Sequence, residues 1–318
     1  MKRKIIIIGA CIALVGILIA VVGFAMGGFN IEMLNTKKFV TTEYPIDADF
    51  DSIAVSSNVA GLKLLPSEDG AAKAVCYLDE KIRYDVRVED GKLLMKEIDE
   101  RKWYEQIGIS WGNQTVTLYL PKSEYDSLSF ESNVGSLNMG EEFSFGDVTV
   151  NSDTGYLLSS SRITGMLDVS MDTGAINVSD AQPSEVTLES GTGSIILKDV
   201  SASGNIAVEC DTGKVSFTNV ACKDLTVEYA TGAVEMKNTV CAGKAEIDGA
   251  TGSISLDRFD AAEIDVEITT GSVYMLLLSD KKVHASSTTG NVNAQNPGVG
   301  GECRVSTSTG SIEVRFAD

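Results

Sequence analysis

The residues with the most obvious chemical potential are the aspartates of Asp153-Thr154-Gly155, Asp172-Thr173-Gly174 and Asp211-Thr212-Gly213. Asp-Thr-Gly is the tripeptide with which aspartic proteases bring two carboxylates to one water, where the pair shares a proton. The position of the acid holds Gly191, Ala230, Ala250 and Thr269 in other copies of the motif, while Thr-Gly stays. A turn position varies in that way; a catalytic dyad does not. Polysaccharide lyases and hydrolases also use clustered carboxylates, commonly with a basic group beside them. Asp153 and Asp172 have no basic neighbour in their motif. His284 is the only histidine, and alternation from the apolar Val283 turns it outward. No Gly-x-Ser-x-Gly elbow accompanies it. A calcium-roll repeat, a phosphate loop and Cys/His metal spacing are absent as well. The sequence predicts no catalytic residue, no metal site and no cofactor.

Thr-Gly is better read as architecture. It recurs as Thr154-Gly155, Thr173-Gly174, Thr192-Gly193, Thr212-Gly213, Thr231-Gly232, Thr251-Gly252, Thr270-Gly271, Thr289-Gly290 and Thr309-Gly310, always nineteen or twenty residues apart. A fixed period of that length marks stacked repeats. Seven and five residues before the glycine the chain places apolar pairs such as Val148 and Val150 or Ile264 and Val266. Two and four residues after it stand pairs such as Ile195 and Leu197 or Val273 and Met275. Alternation means short strands with one buried face. Positions −5 and +2 are an odd number apart, so a straight strand would put them on opposite faces. The chain must turn at Thr-Gly, with glycine supplying the backbone freedom. A second, looser corner is expected at Asp180, Asp199, Asn219, Asn238 and Asn296. One coil buries a handful of side chains at ~1.5–3 kcal/mol each. Ordering its backbone costs ~1–2 kcal/mol per residue, so each coil needs neighbours. The expected fold is all-β, a single-stranded β-helix or β-solenoid with 19–20-residue coils.

A membrane end precedes it. Lys2-Arg3-Lys4 form a basic tip at 1–4, and residues 5–29 carry no charge. That run suits one transmembrane signal-anchor helix, since ~20 apolar residues cross a ~30 Å hydrocarbon core. The basic tip favours a cytoplasmic N-terminus and an exported body at the cell membrane. A cleaved signal peptide has a shorter apolar region and a small-x-small site. The chain carries a net charge of −19, which disfavours nucleic acid and anionic lipid as partners of the body. Five cysteines follow Cys11, an odd number, so no disulfide framework is indicated. Cys222 and Cys241 share a column in successive coils. Strands ~4.8 Å apart would allow a disulfide there, and a thiol pair equally.

Residues 30–45 read as a linker, 46–127 as a divergent first coil with a β-rich capping module, and 128–318 as the repeats. Ser57-Asn58-Val59-Ala60-Gly61-Leu62-Lys63-Leu64 resembles Glu131-Ser132-Asn133-Val134-Gly135-Ser136-Leu137, with one residue inserted. Asp90-Gly91 signals a tight hairpin. A loop at 99–113 carries Trp103, Tyr104 and Trp111, expected to pack over the open end of the stack rather than to meet a ligand or membrane. The Thr-Gly-x-[Ile/Val] unit, with Leu118-Tyr119-Leu120-Pro121-Lys122, Tyr125 and Leu128 ahead of it, resembles a bacterial family of exported β-solenoid proteins catalogued as putative adhesins. The similarity runs from about residue 46 to 316 and implies binding without catalysis. It brings no catalytic residues to carry over. Expected partners are the membrane, through the N-terminal helix, and an envelope protein or a surface glycan or matrix ligand. Related solenoids beside envelope-stress regulators leave a sensing or assembly scaffold as one alternative, and a polysaccharide lyase or hydrolase is another.

Overall fold

The structure is a computed structural model and describes residues 13–19, 21–23, 25, 37–105 and 114–317. Residues 13–19, 21–23 and 25 are helical and fall inside the charge-free run. Among the described residues no helix is long and apolar enough to cross a membrane. The basic tip at 1–4, much of the expected span at 5–29, and Trp111 lie outside the described residues.

From residue 39 the chain is an all-β solenoid of about ten turns. Its first part holds β1 (Phe39–Ile46), β2 (Ser52–Ser57), β3 (Gly61–Pro66), β4 (Ala72–Asp79), β5 (Ile82–Glu89), β6 (Lys92–Asp99) and β7 (Thr115–Leu120). The coils follow as β8 (Glu124–Val134), β9 (Leu137–Met139), β10 (Ser144–Ser159), β11 (Arg162–Ile163), β12 (Met166–Ser179), β13 (Glu185–Ser201), β14 (Ile206–Cys222) and β15 (Leu225–Leu277). The last are β16 (Lys281–Thr289), β17 (Val292–Ala294), β18 (Gly301–Thr309) and β19 (Ile312–Phe316). β1 corrects one boundary: residues 39–45 of the expected linker are a strand, paired antiparallel to β4 from Phe39↔Asp79 to Ile46↔Ala72.

The Thr-Gly corner is a kink in extended chain, since β10, β12, β13 and β14 run through it unbroken. Apolar residues on both sides of it, such as Val150 and Leu157 or Val208 and Val215, are buried in one core. Two facts demand glycine there. Gly174, Gly193, Gly213, Gly232, Gly252, Gly271, Gly290 and Gly310 have φ between 148° and 157°. A Cβ on Gly213 would also stand 1.5 Å from the Gly193 carbonyl oxygen, and one on Gly232 1.6 Å from that of Gly213. Glycine thus lets each coil lie directly on the backbone of the coil stacked against it.

The second corner is as well defined as the first. Asp180, Asp199, Asn219, Asn238 and Arg258 all have φ between 51° and 59°. Asn and Asp tolerate that conformation best. Asn219 Nδ2 donates to Asp199 Oδ1 at 2.7 Å, and Asn238 Nδ2 to Asn219 Oδ1 at 2.9 Å, forming a side-chain ladder. Arg258 takes this place without such a bond, whereas Asn296 instead bridges Val283 N and O at 3.1 Å.

Stacking order departs from chain order at both ends. β18 and β19 pair on one side with β15 (Ile264↔Cys303, Val273↔Ile312) and on the other with β16 and β17 (Val283↔Cys303, Val292↔Ile312). The C-terminal coil is therefore slotted beneath the coil that precedes it in sequence. Burial agrees: Cys303, Val305, Ile312 and Val314 are at most 1% exposed, while Val292 is 43% exposed. At the other end, β2 lies between β6 (Ile53↔Leu93) and β8 (Ile53↔Leu128). β3 likewise pairs with both β7 and β9. The first coil is thus an inner layer, covered by β6 and β7, with β4 and β5 antiparallel to them. Buried Glu97 of β6 ties this cover to the first corner by accepting from Ser57 Oγ at 2.9 Å and Asn58 N at 2.8 Å.

Candidate functional site

Inward residues are spent on the core, so recognition falls to the outward columns. Two, four and six residues before the corner glycine, the coils from Gly155 to Gly271 place eleven carboxylates and no lysine or arginine. The column at −4 is the densest, with Glu189, Glu209, Glu228, Asp248 and Glu267 in successive coils. Strand register stacks them, Glu189↔Glu209 and Glu209↔Glu228 being direct partners. Parallel neighbours sit ~4.8 Å apart. Like charges at that separation repel by about 1 kcal/mol or less in water. Beyond the column's ends Ser170 pairs with Glu189 and Ser306 with Glu267, and Ser170 Oγ donates to Glu189 at 3.3 Å.

Among the described residues no ion pair reaches Glu209, Glu228, Asp248 or Glu267. Lys244, at the margin, is taken up by Glu246 at 2.8 Å and Asp265 at 3.9 Å. Partial desolvation, and then the carboxylates of Glu246, Glu267, Asp265 and Glu228, hold the Asp248 carboxyl above its ordinary range. An open groove of about 530 Å³ runs along this column, lined by Glu209, Asp211, Glu228, Tyr229, Asp248, Gly249 and Glu267 among others. Gly249 makes its floor: Tyr229 of the preceding coil lies where a Gly249 side chain would go, 2.3 Å from such a Cβ. The face after the corner differs in character. It is close to neutral, with Lys214 paired to Glu235 at 2.6 Å and Tyr156, Leu158 and Tyr274 exposed.

The residues singled out from sequence fall in separate places. The nine Thr-Gly pairs form the corner itself, with Thr154, Thr173 and Thr192 exposed on its outside. Asp153, Asp172 and Asp211 stand at the rim of the acidic face, and Asp211 lines the groove. His284 is exposed and lies 3.1 Å from Glu302. Cys222 and Cys241 are register partners, buried, with Sγ atoms 3.4 Å apart as two thiols. Their mutual hydrogen bond and burial raise the Cys241 thiol above its ordinary range. Trp103 and Tyr104 do not pack over the end of the stack; they are 75% and 51% exposed, because β1, β4 and β5 already cover that end. Among the described residues no group of three His, Cys, Asp or Glu is placed to hold a metal ion. The −4 column is legible in the sequence as the one outward position, counted from the corner glycine, with an acid in five consecutive coils.

A repeating solenoid with a charged flank is a class defined by its scaffold. The chain belongs to the family described as Toastrack DUF4097, which matches residues 50–209 and 202–318. Among solved structures it is similar to a "putative adhesin" from Bacteroides fragilis NCTC 9343, at 14% identity over 88% of this chain and 98% of that one, with a TM-score of 0.43. It is also similar to a "putative adhesin" from Parabacteroides distasonis ATCC 8503, at 13% identity over 86% and 98% of the two chains, TM-score 0.45. A "putative lipid binding protein" from that organism matches at 14% identity over 89% and 98%, TM-score 0.43. The curated proteins contain no match.

Proposed function

We propose that this chain is a non-catalytic, adhesin-like binding module, anchored in the cell membrane by residues 5–29 with its solenoid outside the cytoplasm. The observation that carries the binding reading is the ladder Glu209, Glu228, Asp248 and Glu267, which no described cation pairs with, along an open groove of a parallel sheet. Self-repulsion along the ladder opposes folding, and a cationic partner laid across it relieves that repulsion. The partner is accordingly an envelope or matrix protein, or a surface glycan, that presents positive charge at a strand-like repeat. Anchoring is supported by the basic tip at 1–4 followed by the charge-free run. A lyase or hydrolase would want a basic residue against these acids, and the ladder has none within ion-pair distance among the described residues.

The full chain in lipid nanodiscs, screened against immobilised matrix proteins, envelope proteins and cell-wall glycans, tests the reading. Capture by basic ligands that weakens as salt rises is expected. Capture that ignores salt, or no capture, contradicts it.

A further inference from the structure

The turn at 101–105 is built to hold two aromatic rings in the open. Arg101, its side chain 6% exposed, grips Asp99 through Nε at 2.8 Å and Nη2 at 2.7 Å and lies 3.9 Å from Asp79. Glu105 N donates to Lys102 O at 2.9 Å, Lys102 N donates to Glu105 Oε2 at 2.9 Å, and Glu105 pairs with Lys81. On this fixed pedestal Trp103 and Tyr104 stand edge to face with centroids 5.9 Å apart, and Lys102 Nζ lies 5.9 Å from the Tyr104 ring centre. Neither ring contributes to the core, although large aromatic rings gain most from burial. A turn pinned by these bonds that withholds a tryptophan and a tyrosine from the core presents them to something else.

The chain's own path says what that is. Glu80 N donates to Lys38 O at 2.9 Å, and Lys38 pairs with Glu80 at 3.1 Å, so the start of the body lies against the β4–β5 turn. A shallow pocket joins Lys37 and Lys38 to Lys81, Arg101 and Glu105, the base of the pedestal. Only seven residues, 30–36, separate Lys37 from the end of the charge-free run. Seven residues reach at most about 25 Å fully extended. If residues 5–29 lie in a bilayer, Lys37 and the base of the turn that shares its pocket stay within about 25 Å of its surface, a range that brings Trp103 and Tyr104 within reach of it. Tryptophan and tyrosine are the side chains that settle at the headgroup level, with lysines beside them.

We propose that the turn at 101–105 is a membrane foot: Trp103 and Tyr104 enter the headgroup region of the bilayer that holds residues 5–29. The solenoid then stands with its β1–β4–β5 end toward the membrane and its C-terminal coils away from it. This rests on the anchoring reading above. The test reconstitutes the full chain carrying Trp111→Phe, so that Trp103 is the only tryptophan, into phosphatidylcholine vesicles with and without lipids brominated high on their acyl chains. Flotation and resistance to alkaline extraction report anchoring separately. Trp103 fluorescence should fall by about twofold in brominated vesicles, with a blue-shifted maximum in both. A chain that floats and resists extraction while Trp103 emission is the same in both vesicles overturns the foot alone. A chain that extracts overturns the anchoring and the foot with it. Trp103→Ser/Tyr104→Ser should float and keep its strand content, because neither ring supports the core; loss of strand content would assign the rings to the fold and overturn the proposal.

Discussion

Gly213 carries two burdens that separate substitutions resolve. Alanine there meets the Gly193 carbonyl at 1.5 Å and must also adopt a φ of 155°. At Gly70, with φ of 75°, an added Cβ meets nothing within 4 Å, so alanine suffers only the backbone penalty. Gly70→Ala should cost about 1–2 kcal/mol. Gly213→Ala should cost about 2–4 kcal/mol, because a coil must also lift from its neighbour. Urea unfolding of both variants measures the difference, and equal losses would reduce glycine's role to its backbone freedom. For Cys222 and Cys241, burial shields both sulfurs. Alkylation without reductant should leave them unlabelled in the native chain and label both after denaturation. A pair that stays unlabelled until reductant is added would be a disulfide. The corner and the core columns were readable in sequence because they follow from local parity and from residue type. That Gly213 also abuts a carbonyl was not, since close approach is a property of two coils and not of one.

At the scale of the element, the −4 column and the terminal coils make distinct predictions. The Asp248 carboxyl is held above its ordinary value of 3.8, so the folded state takes up its proton more readily than the unfolded chain. Stability from this group is therefore greatest below the ordinary value and falls as pH rises through the raised one. Asp248→Asn should stabilise the chain at pH 7 by about 0.5 kcal/mol or less, this side chain being well exposed to solvent. The gain should fade as pH drops toward 3.8. Thermal unfolding of both chains across that range checks it, and a gain that grows on acidification would refute the assigned sign. In the C-terminal exchange of order, residues 301–316 lie between two coils and 281–294 have a neighbour on one side only. Amide exchange should be slower in 301–316, nearer the chain's end, than in 281–294. The reverse order of protection would mean the coils stack as they are numbered. Sequence could not show this exchange, because every coil carries the same columns and so fits any other. A trace does remain: Ala285 and Ala294 occupy core columns where Val305 and Val314 stand in the slotted coil. A smaller core set suits a coil that closes the stack. β1 went unrecognised for a related reason, its pairing partner β4 being decided across a long loop rather than by its own alternation.

For the whole molecule, the period specifies stacked coils with a corner at each Thr-Gly, and the fold distributes the rest by face. Acid is gathered before the corner, a near-neutral surface follows it, and an exposed aromatic turn stands beyond β6 at the β1–β4–β5 end. Scattered acids would serve solubility equally well; a register-aligned file without cations concentrates field along one line. The sequence shows the −4 column as a run of acids in five coils, but not that it lies free of described cations along a groove, which depends on how the neighbouring coils stack. The most direct measurement of the account takes the full chain and its Glu209→Gln/Glu228→Gln/Asp248→Asn/Glu267→Gln variant, both in nanodiscs, onto the basic ligands recovered from the matrix, envelope and glycan screen. The account predicts a variant that unfolds at least as hot as the parent and binds about tenfold or more weakly at low salt, the gap closing as salt rises. A variant that binds as the parent does would contradict it.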